Sequence, residues 1–330
     1  MTVMRDKFQR TIDYLRISVT DRCNLRCRYC MPEEGKEWFE REGLLSYEEI
    51  TRVVRQVFVP MGLRKIRLTG GEPLLRRDLH KLVGQLRAIP EISDIALSTN
   101  AVLLHEQGPA LREAGLDRVN ISLDSLDAEK FRQITRGGDL RRVLRGIDRA
   151  LDLGMHPVKL NCVVLPGENQ HEIADLARLT LDRPVHMRFI EFMPVGDRSL
   201  YQANGTFGVD DMMAALREHF ELEPAVEADR PQGNGPARYW RIPGSAGTVG
   251  FIHPMSRHFC DSCNRFRLTA DGRVKSCLLV ASEKDLSGAL RAGASTDDLR
   301  QIVLDALALK PEWHEMGTEF QALTMSQIGG

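Results

Sequence analysis

Six short segments rich in β-branched and apolar residues recur along the chain, at residues 14–20, 65–71, 94–100, 118–124, 156–165 and 185–193. Between them, stretches at 47–59, 77–89, 105–114, 140–153 and 169–181 mix apolar and charged residues at roughly helical spacing. The alternation predicts repeated βα units with parallel strands. Side chains along a strand point alternately to two faces, so each segment divides by parity. Leu15, Ile17 and Val19 share one face of the first segment; Arg16, Ser18 and Thr20 share the other. Arg67, Thr69 and Gly71 oppose Ile66 and Leu68, and Ser98 and Asn100 oppose Ile95 and Leu97. Asn120, Ser122 and Asp124 oppose Val119, Ile121 and Leu123; Lys159 and Asn161 oppose Leu160 and Cys162; Glu191 shares a face with Met193.

Parallel strands covered on both sides read as near-continuous apolar runs, so a polar face on every segment puts water or a ligand on one side of the sheet. The fold class expected is α/β: a partial (β/α)6 TIM-like barrel around a polar cavity. A filled barrel is excluded, because its interior is packed with bulky branched side chains. An open sheet with a merely solvated polar face is the alternative. Arg16, Arg67 and Lys159 on the cavity face point to an anionic ligand. After residue 193 the rhythm changes. Residues 223–238, rich in proline, glycine and charge, read as an exposed loop or linker. Strands are expected at 239–242, 248–253, 266–269 and 274–277, and helices at 285–291 and 297–309. A boundary near Pro194 therefore divides residues 1–193 from a C-terminal α+β region, 194–330.

Lysine plus arginine (45) nearly balances aspartate plus glutamate (46), which gives no global footprint of a nucleic-acid or membrane-surface binder. Residues 1–10 are polar and no apolar run approaches bilayer width, so a cytoplasmic protein is expected. Nothing in the sequence separates a monomer from a homodimer. In a reducing compartment the seven cysteines, an odd number, suit metal ligation or reactive thiols better than disulfides.

Their spacing is specific. The loop after the first segment reads Cys23-Asn-Leu-Arg-Cys27-Arg-Tyr-Cys30, three thiols in one short turn. Full thiolate ligation of a four-iron cubane needs four cysteines, so a trio leaves one iron open to a small chelating molecule. A zinc site completed by a distant histidine is the alternative. A second trio, Cys260, Cys263 and Cys277, lies in the C-terminal region, and half of a zinc ribbon or cross-pairing with the first trio stays open for it. Between its members lies Asn264-Arg265-Phe266-Arg267, which places two guanidinium groups, suited to phosphate, on one strand face. With Arg16, Arg67 and Lys159 they make five cations that can converge on a triphosphate. Cys162 reads as a buried apolar cysteine.

The first trio, with Tyr29 before its last cysteine and Gly70-Gly71-Glu72-Pro73 at the end of the second segment, resembles the radical S-adenosylmethionine superfamily. Over the whole chain the two trios, Cys263-Asn-Arg265-Phe-Arg267 and the terminal Gly329-Gly330 resemble the GTP 3',8-cyclases. This resemblance implies two 4Fe-4S clusters, one on Cys23, Cys27 and Cys30 and one on Cys260, Cys263 and Cys277, with S-adenosylmethionine as cosubstrate. It implies cofactor contacts at Tyr29, Gly71, Ser122 and Met193. Nucleotide contacts are implied at Arg16, Arg67, Ser98, Lys159, Arg265, Phe266 and Arg267, of which Arg16, Lys159, Arg265 and Arg267 carry the catalytic roles. The implied reaction is abstraction of the ribose C3' hydrogen of GTP and attack of C3' on guanine C8, the first step of molybdenum cofactor biosynthesis. It requires an external electron donor, and cyclic pyranopterin monophosphate synthase receives the product. Gly329 and Gly330 are implied to enter the pocket; a frayed end is the alternative. Where the family usually has Thr-Thr-Asn-Gly this chain has Ser98-Thr99-Asn100-Ala101, and Ala101 implies a turn that needs no positive φ. A radical enzyme acting on a peptide and a zinc-stabilised RNA-binding protein are the competing readings.

Overall fold

The computed structural model describes residues 3–35, 37–193, 195, 207–280, 282–313 and 325. The expected boundary at Pro194 lies outside these residues. Six strands form where the pattern places them, each slightly shorter: β1 (Tyr14–Ser18), β2 (Lys65–Thr69), β3 (Asp94–Thr99), β4 (Arg118–Ser122), β5 (Val158–Val164) and β6 (Val185–Glu191). They pair in parallel and in sequence order. The crossovers are α1 (Tyr47–Val53), α2 (Leu79–Arg87), α3 (Leu104–Glu113), α4 (Ala128–Thr135), α5 (Leu140–Asp152) and α6 (Ile173–Asp182). Ser46 and Glu49 form a reciprocal capping box at the start of α1, which continues through a π turn at Val54–Phe58. Helix α4 is absent from the sequence reading, although Asp127, accepting from the Lys130 N–H, caps it as a helix start requires.

The C-terminal region adds α7 (Val209–Arg217), β7 (Glu223–Pro224), β8 (Arg238–Arg241), β9 (Thr248–Ile252), β10 (Arg265–Leu268), β11 (Arg273–Lys275), β12 (Lys284–Asp285), α8 (Ser287–Arg291) and α9 (Thr296–Ala308). Strand β10 lies parallel beside β1 and β9 parallel beside β6, so this region lengthens both edges of the six-stranded arc. Antiparallel partners follow outward, giving the continuous order β12-β11-β10-β1-β2-β3-β4-β5-β6-β9-β8-β7.

The parity split holds in β1 to β5. Leu15, Ile17, Ile66, Leu68, Ile95, Leu97, Val119, Ile121 and Leu160 are all in the core, which lies between sheet and helices. In β6 the split needs correction. Val185, Met187 and Phe189 take the core face, so Arg188 and Ile190 point inward, while Glu191 and Met193, at and beyond the strand end, line the cavity as well.

Two other expectations change. Residues 223–238 are no simple linker: Asn234, Gly235 and Pro236 line the interior cavity, and the Asn234 amide donates to Asp94 at 3.1 Å. Gly233, at φ 138°, lets this backbone lie against a buried cation, since a Cβ there would stand 2.6 Å from Lys159 Nζ. Ala101 does adopt a left-handed conformation, φ 60°. Side-chain bonds hold the turn there, from Ala101 N–H to Thr99 Oγ1 (2.9 Å) and from Val102 N–H to Asn100 Oδ1 (3.1 Å). Together they offset the roughly 1–2 kcal/mol that a Cβ costs in this region.

Candidate active site between two cysteine groups

A cavity of about 320 Å³ runs along the inner face of the sheet. Its wall carries the whole first trio, Cys23, Cys27 and Cys30, in the loop after β1. That loop is pinned on two sides. Arg26 and Arg28 N–H groups donate to the Thr135 and Ile134 carbonyls at the end of α4, both at 3.0 Å. The Gly71 and Glu72 N–H groups donate to the Thr20 and Arg22 carbonyls, both at 2.8 Å. Gly71 makes this possible by size alone, because a Cβ there would lie 2.4 Å from the Arg22 carbonyl oxygen. Burial pushes the Cys23 thiol up to about 12 and Cys27 well above its ordinary value, so metal uptake must displace protons.

Tyr29, Gly71, Ser122 and Met193 all border the same cavity as this trio. Tyr29 donates from its hydroxyl to Asp124 Oδ2 at 2.8 Å. Arg16, Arg67, Ser98 and Arg265 also line the cavity. The Arg67 guanidinium reaches Ser98 Oγ at 3.4 Å. Burial, together with Arg267, Arg67 and Arg265, pushes Arg16 well below the usual arginine value. Tyr14 OH, Arg67 Nε, Asn120 Nδ2 and Arg188 Nε are buried with no hydrogen-bond partner among the described residues. Such donors fit a polyanion that completes them.

The five expected cations do not meet at one point. Lys159 lies off the cavity wall, its ammonium donating to the Gln232 carbonyl at 2.5 Å and the Pro231 carbonyl at 3.5 Å. Burial, then Arg188, Arg118 and Arg67, hold it down to about 6. Arg267 lies level with Arg16 across the β1–β10 pair and is buried beside it; burial and Arg265 lower it to about 10, while Cys277 and Cys263 oppose that shift. Phe266 turns the other way. Its ring is fully buried in the core, 6.0 Å from Phe58, so only its backbone is left to meet a nucleotide. The alternation that points Arg265 and Arg267 inward compels this.

Cys260 and Cys263 occupy a single 3-10 turn before β10, and Cys277 follows β11, the antiparallel partner of β10. The hairpin brings Cys277 back toward that turn, and both Cys277 and Cys263 act on Arg267. Burial acts to raise the Cys263 thiol, but Arg265 and Lys310 outweigh it and hold it at about 6. Cys162 is fully buried, as expected for an apolar cysteine. Gly329 and Gly330 lie outside the described residues; Met325 lines the cavity.

Sequence reasoning missed Arg188, whose guanidinium donates to Asn120 Oδ1 at 2.7 Å, and Arg118, which pairs with Asp94. Anchoring the β6 parity on Val185 and Met187 would have found the former. It also left Glu72 without a role. This carboxylate is buried and accepts from Thr99 Oγ1 (2.7 Å), Asn100 N–H (2.7 Å) and Leu74 N–H (3.0 Å), and burial outweighs these bonds to raise it from 4.5 to about 7. A carboxyl raised in the fold costs nothing below its unfolded value; the cost grows as pH climbs from 4.5 to about 7 and then stays. Relative to Glu72→Gln, wild type should therefore lose about 3 kcal/mol between pH 4.5 and pH 7.5. Parallel denaturation curves for the two proteins across that range would remove the assignment.

Two family models match the chain: the radical SAM superfamily over residues 17–180 and Molybdenum Cofactor Synthesis C over residues 185–316. The GTP 3',8-cyclase of Pelotomaculum thermopropionicum is 50% identical over 99% of this chain and 100% of its own length. That of Listeria monocytogenes is 48% identical over 100% of both chains. Among solved structures, Streptococcus suis SuiB bound to S-adenosylmethionine superposes with a TM-score of 0.53 at 15% identity, over 89% of this chain and 68% of that one, a likeness of fold. The trios, the polar cavity and full-length identity agree: this chain belongs to the GTP 3',8-cyclase family of radical S-adenosylmethionine enzymes.

Proposed function

We propose that the chain is a lyase that converts GTP into (8S)-3',8-cyclo-7,8-dihydroguanosine 5'-triphosphate, opening molybdenum cofactor biosynthesis. One observation carries the proposal: a single cavity has a cysteine trio in its wall and buried, incompletely bonded cationic and amide donors along its length. Residues 1–193 contribute the first cluster site and 194–330 the second.

Cys23, Cys27 and Cys30 would hold a 4Fe-4S cluster, and Cys260, Cys263 and Cys277 would hold a second one, near Arg265 and Arg267 in the chain. With S-adenosylmethionine bound, the first cluster supplies one-electron cleavage of the sulfonium and hence a hydrogen-abstracting radical. The chain's own residues do the rest. Gly71 leaves backbone room beside the trio, Ser122 supplies a hydroxyl, Tyr29 is fixed by Asp124, and Met193 closes the wall. Arg16, Arg67 and Arg265 offer planar donor forks for the triphosphate, and Ser98 orients Arg67. Lys159 and Arg267, in register with Asn120 and Arg16, add positive potential beside them. Leu25, Phe192 and Val195 give the cavity apolar surface that keeps water from the reacting ribose.

Anaerobically reconstituted protein, given reductant and S-adenosylmethionine, should form 5'-deoxyadenosine in step with GTP consumption. An equal yield without nucleotide would sever the substrate from the reaction. The external electron donor and transfer of product to cyclic pyranopterin monophosphate synthase complete the proposed setting.

A further inference from the structure

Just beyond the end of α9, Lys310 is 2% exposed and sits beside the second cysteine trio. Its ammonium has three protons and finds three acceptors: the Ser276 carbonyl at 2.7 Å, the Arg265 carbonyl at 3.1 Å and Cys263 Sγ at 3.5 Å. Two of these acceptors are neutral. A buried ammonium is costly unless an opposite charge lies near, and of its three acceptors only the Cys263 sulfur can bear one. The same three bonds tie together the strand entry after Cys263 and the residue preceding Cys277.

Arg10 acts from the other side of this loop. Its guanidinium donates to the Cys260 carbonyl at 2.8 Å, the Glu312 carbonyl at 3.0 Å and the Pro311 carbonyl at 2.6 Å, and it is held by Asp6 at 2.5 Å. The segment 310–312 is thereby clamped onto the turn that carries Cys260 and Cys263.

We propose that Lys310 is a positioning residue of the second metal site: its ammonium hydrogen-bonds the Cys263 ligand, fixes the spacing of Cys263 and Cys277, and raises the reduction potential of the cluster they hold. The inference rests on the reading that the second trio holds a cluster. Positive charge and a hydrogen bond at a ligand sulfur stabilise the more reduced, more negative state. Lys275, also buried nearby, has Glu283 at 3.8 Å to share its charge.

The test uses the full chain with Cys23, Cys27 and Cys30 changed to alanine, so that only the second trio takes up iron. Reconstituted Lys310→Gln should keep the iron and sulfide content but be reduced at a more negative potential in an EPR-monitored titration, while Lys310→Arg stays near the parent. Normal iron content with an unchanged potential in Lys310→Gln overturns the proposal alone. A parent that takes up no iron overturns it together with the two-cluster reading. A measurement that needs no loss of charge guards against misfolding of the glutamine variant. In parent protein labelled with 15N-lysine, the reduced cluster should show a weak nitrogen coupling that Lys310→Arg abolishes. Absence of that coupling, or its persistence in Lys310→Arg, also overturns the proposal.

Discussion

Gly71→Ala is expected to lose the first cluster while retaining the second, leaving about half the wild-type iron. The reason is backbone packing. A Cβ at this position would lie 2.4 Å from the Arg22 carbonyl oxygen and 2.6 Å from that of Asp21, and neither neighbour is a flexible side-chain end. The loop must lift. Lifting it breaks the bonds from Gly71 N–H to Thr20 O and from Glu72 N–H to Arg22 O, which register the cysteine loop against β2. With two hydrogen bonds lost and a crowded contact added, the cost is about 3–5 kcal/mol. Formation of 5'-deoxyadenosine should fall by at least ~100-fold, since misplacing reacting groups by an ångström costs about that much. Gly84→Ala is the control: it lies in α2 with nothing within 4 Å of its added Cβ, and should gain up to about 1 kcal/mol. Iron and sulfide counts after anaerobic reconstitution decide the matter, and a fully loaded Gly71→Ala protein would mean that the loop can shift at little cost.

What could be read from the sequence was what depends on local period and spacing. Strands β1 to β5 alternate cleanly because one face meets helices and the other a polar interior, so parity alone sorted Leu15 and Ile17 from Arg16. The trios were legible for the same reason, each set by short spacing within one loop or hairpin. Failures came where a distant segment decides the outcome. In β6 Glu191 was a poor guide to the strand's face: it lines the cavity with Met193 at the strand end, its carboxylate accepting from the Val209, Met255 and Ser256 N–H groups, while Arg188 and Ile190 line the cavity earlier in the strand. Residues 231–236 looked like solvent-exposed chain, yet their carbonyls and Asn234 are needed by Lys159 and Asp94, partners remote in sequence. Ala101 looked free of strain, since side-chain bonds from Thr99 and Asn100 replace the glycine expected in such a turn. Lys310 carries no local signal at all; its meaning comes from Cys263 and Ser276, brought to it by the fold.

Arg67→Met should have opposite effects on the two states of the enzyme, raising stability without nucleotide and lowering affinity for GTP about 10- to 100-fold. Arg67 is buried at the middle of the cationic group. Burial lowers its affinity for the proton, Tyr14 opposes that, and Arg188 and Arg118 add to it. Asp94, the acid nearest to it in this balance, is already engaged by Arg118. Among the described residues its own bonding is thin: a contact to Ser98 Oγ at 3.4 Å, a Tyr14 ring centroid at 5.7 Å and a buried Nε with no partner. A methionine of similar reach removes the charge and the unmet donor while keeping most of the packing, so the nucleotide-free protein should melt higher. With GTP the balance reverses, because a triphosphate supplies the missing acceptor and opposite charge, and binding stabilises only the folded state. Thermal melts with and without saturating GTP, in the presence of both clusters, give the sign directly. Wild type should rise steeply on adding GTP and Arg67→Met only slightly. A variant that melts lower without nucleotide yet binds GTP as wild type does would place Arg67 in the scaffold, and the triphosphate would have to be held elsewhere.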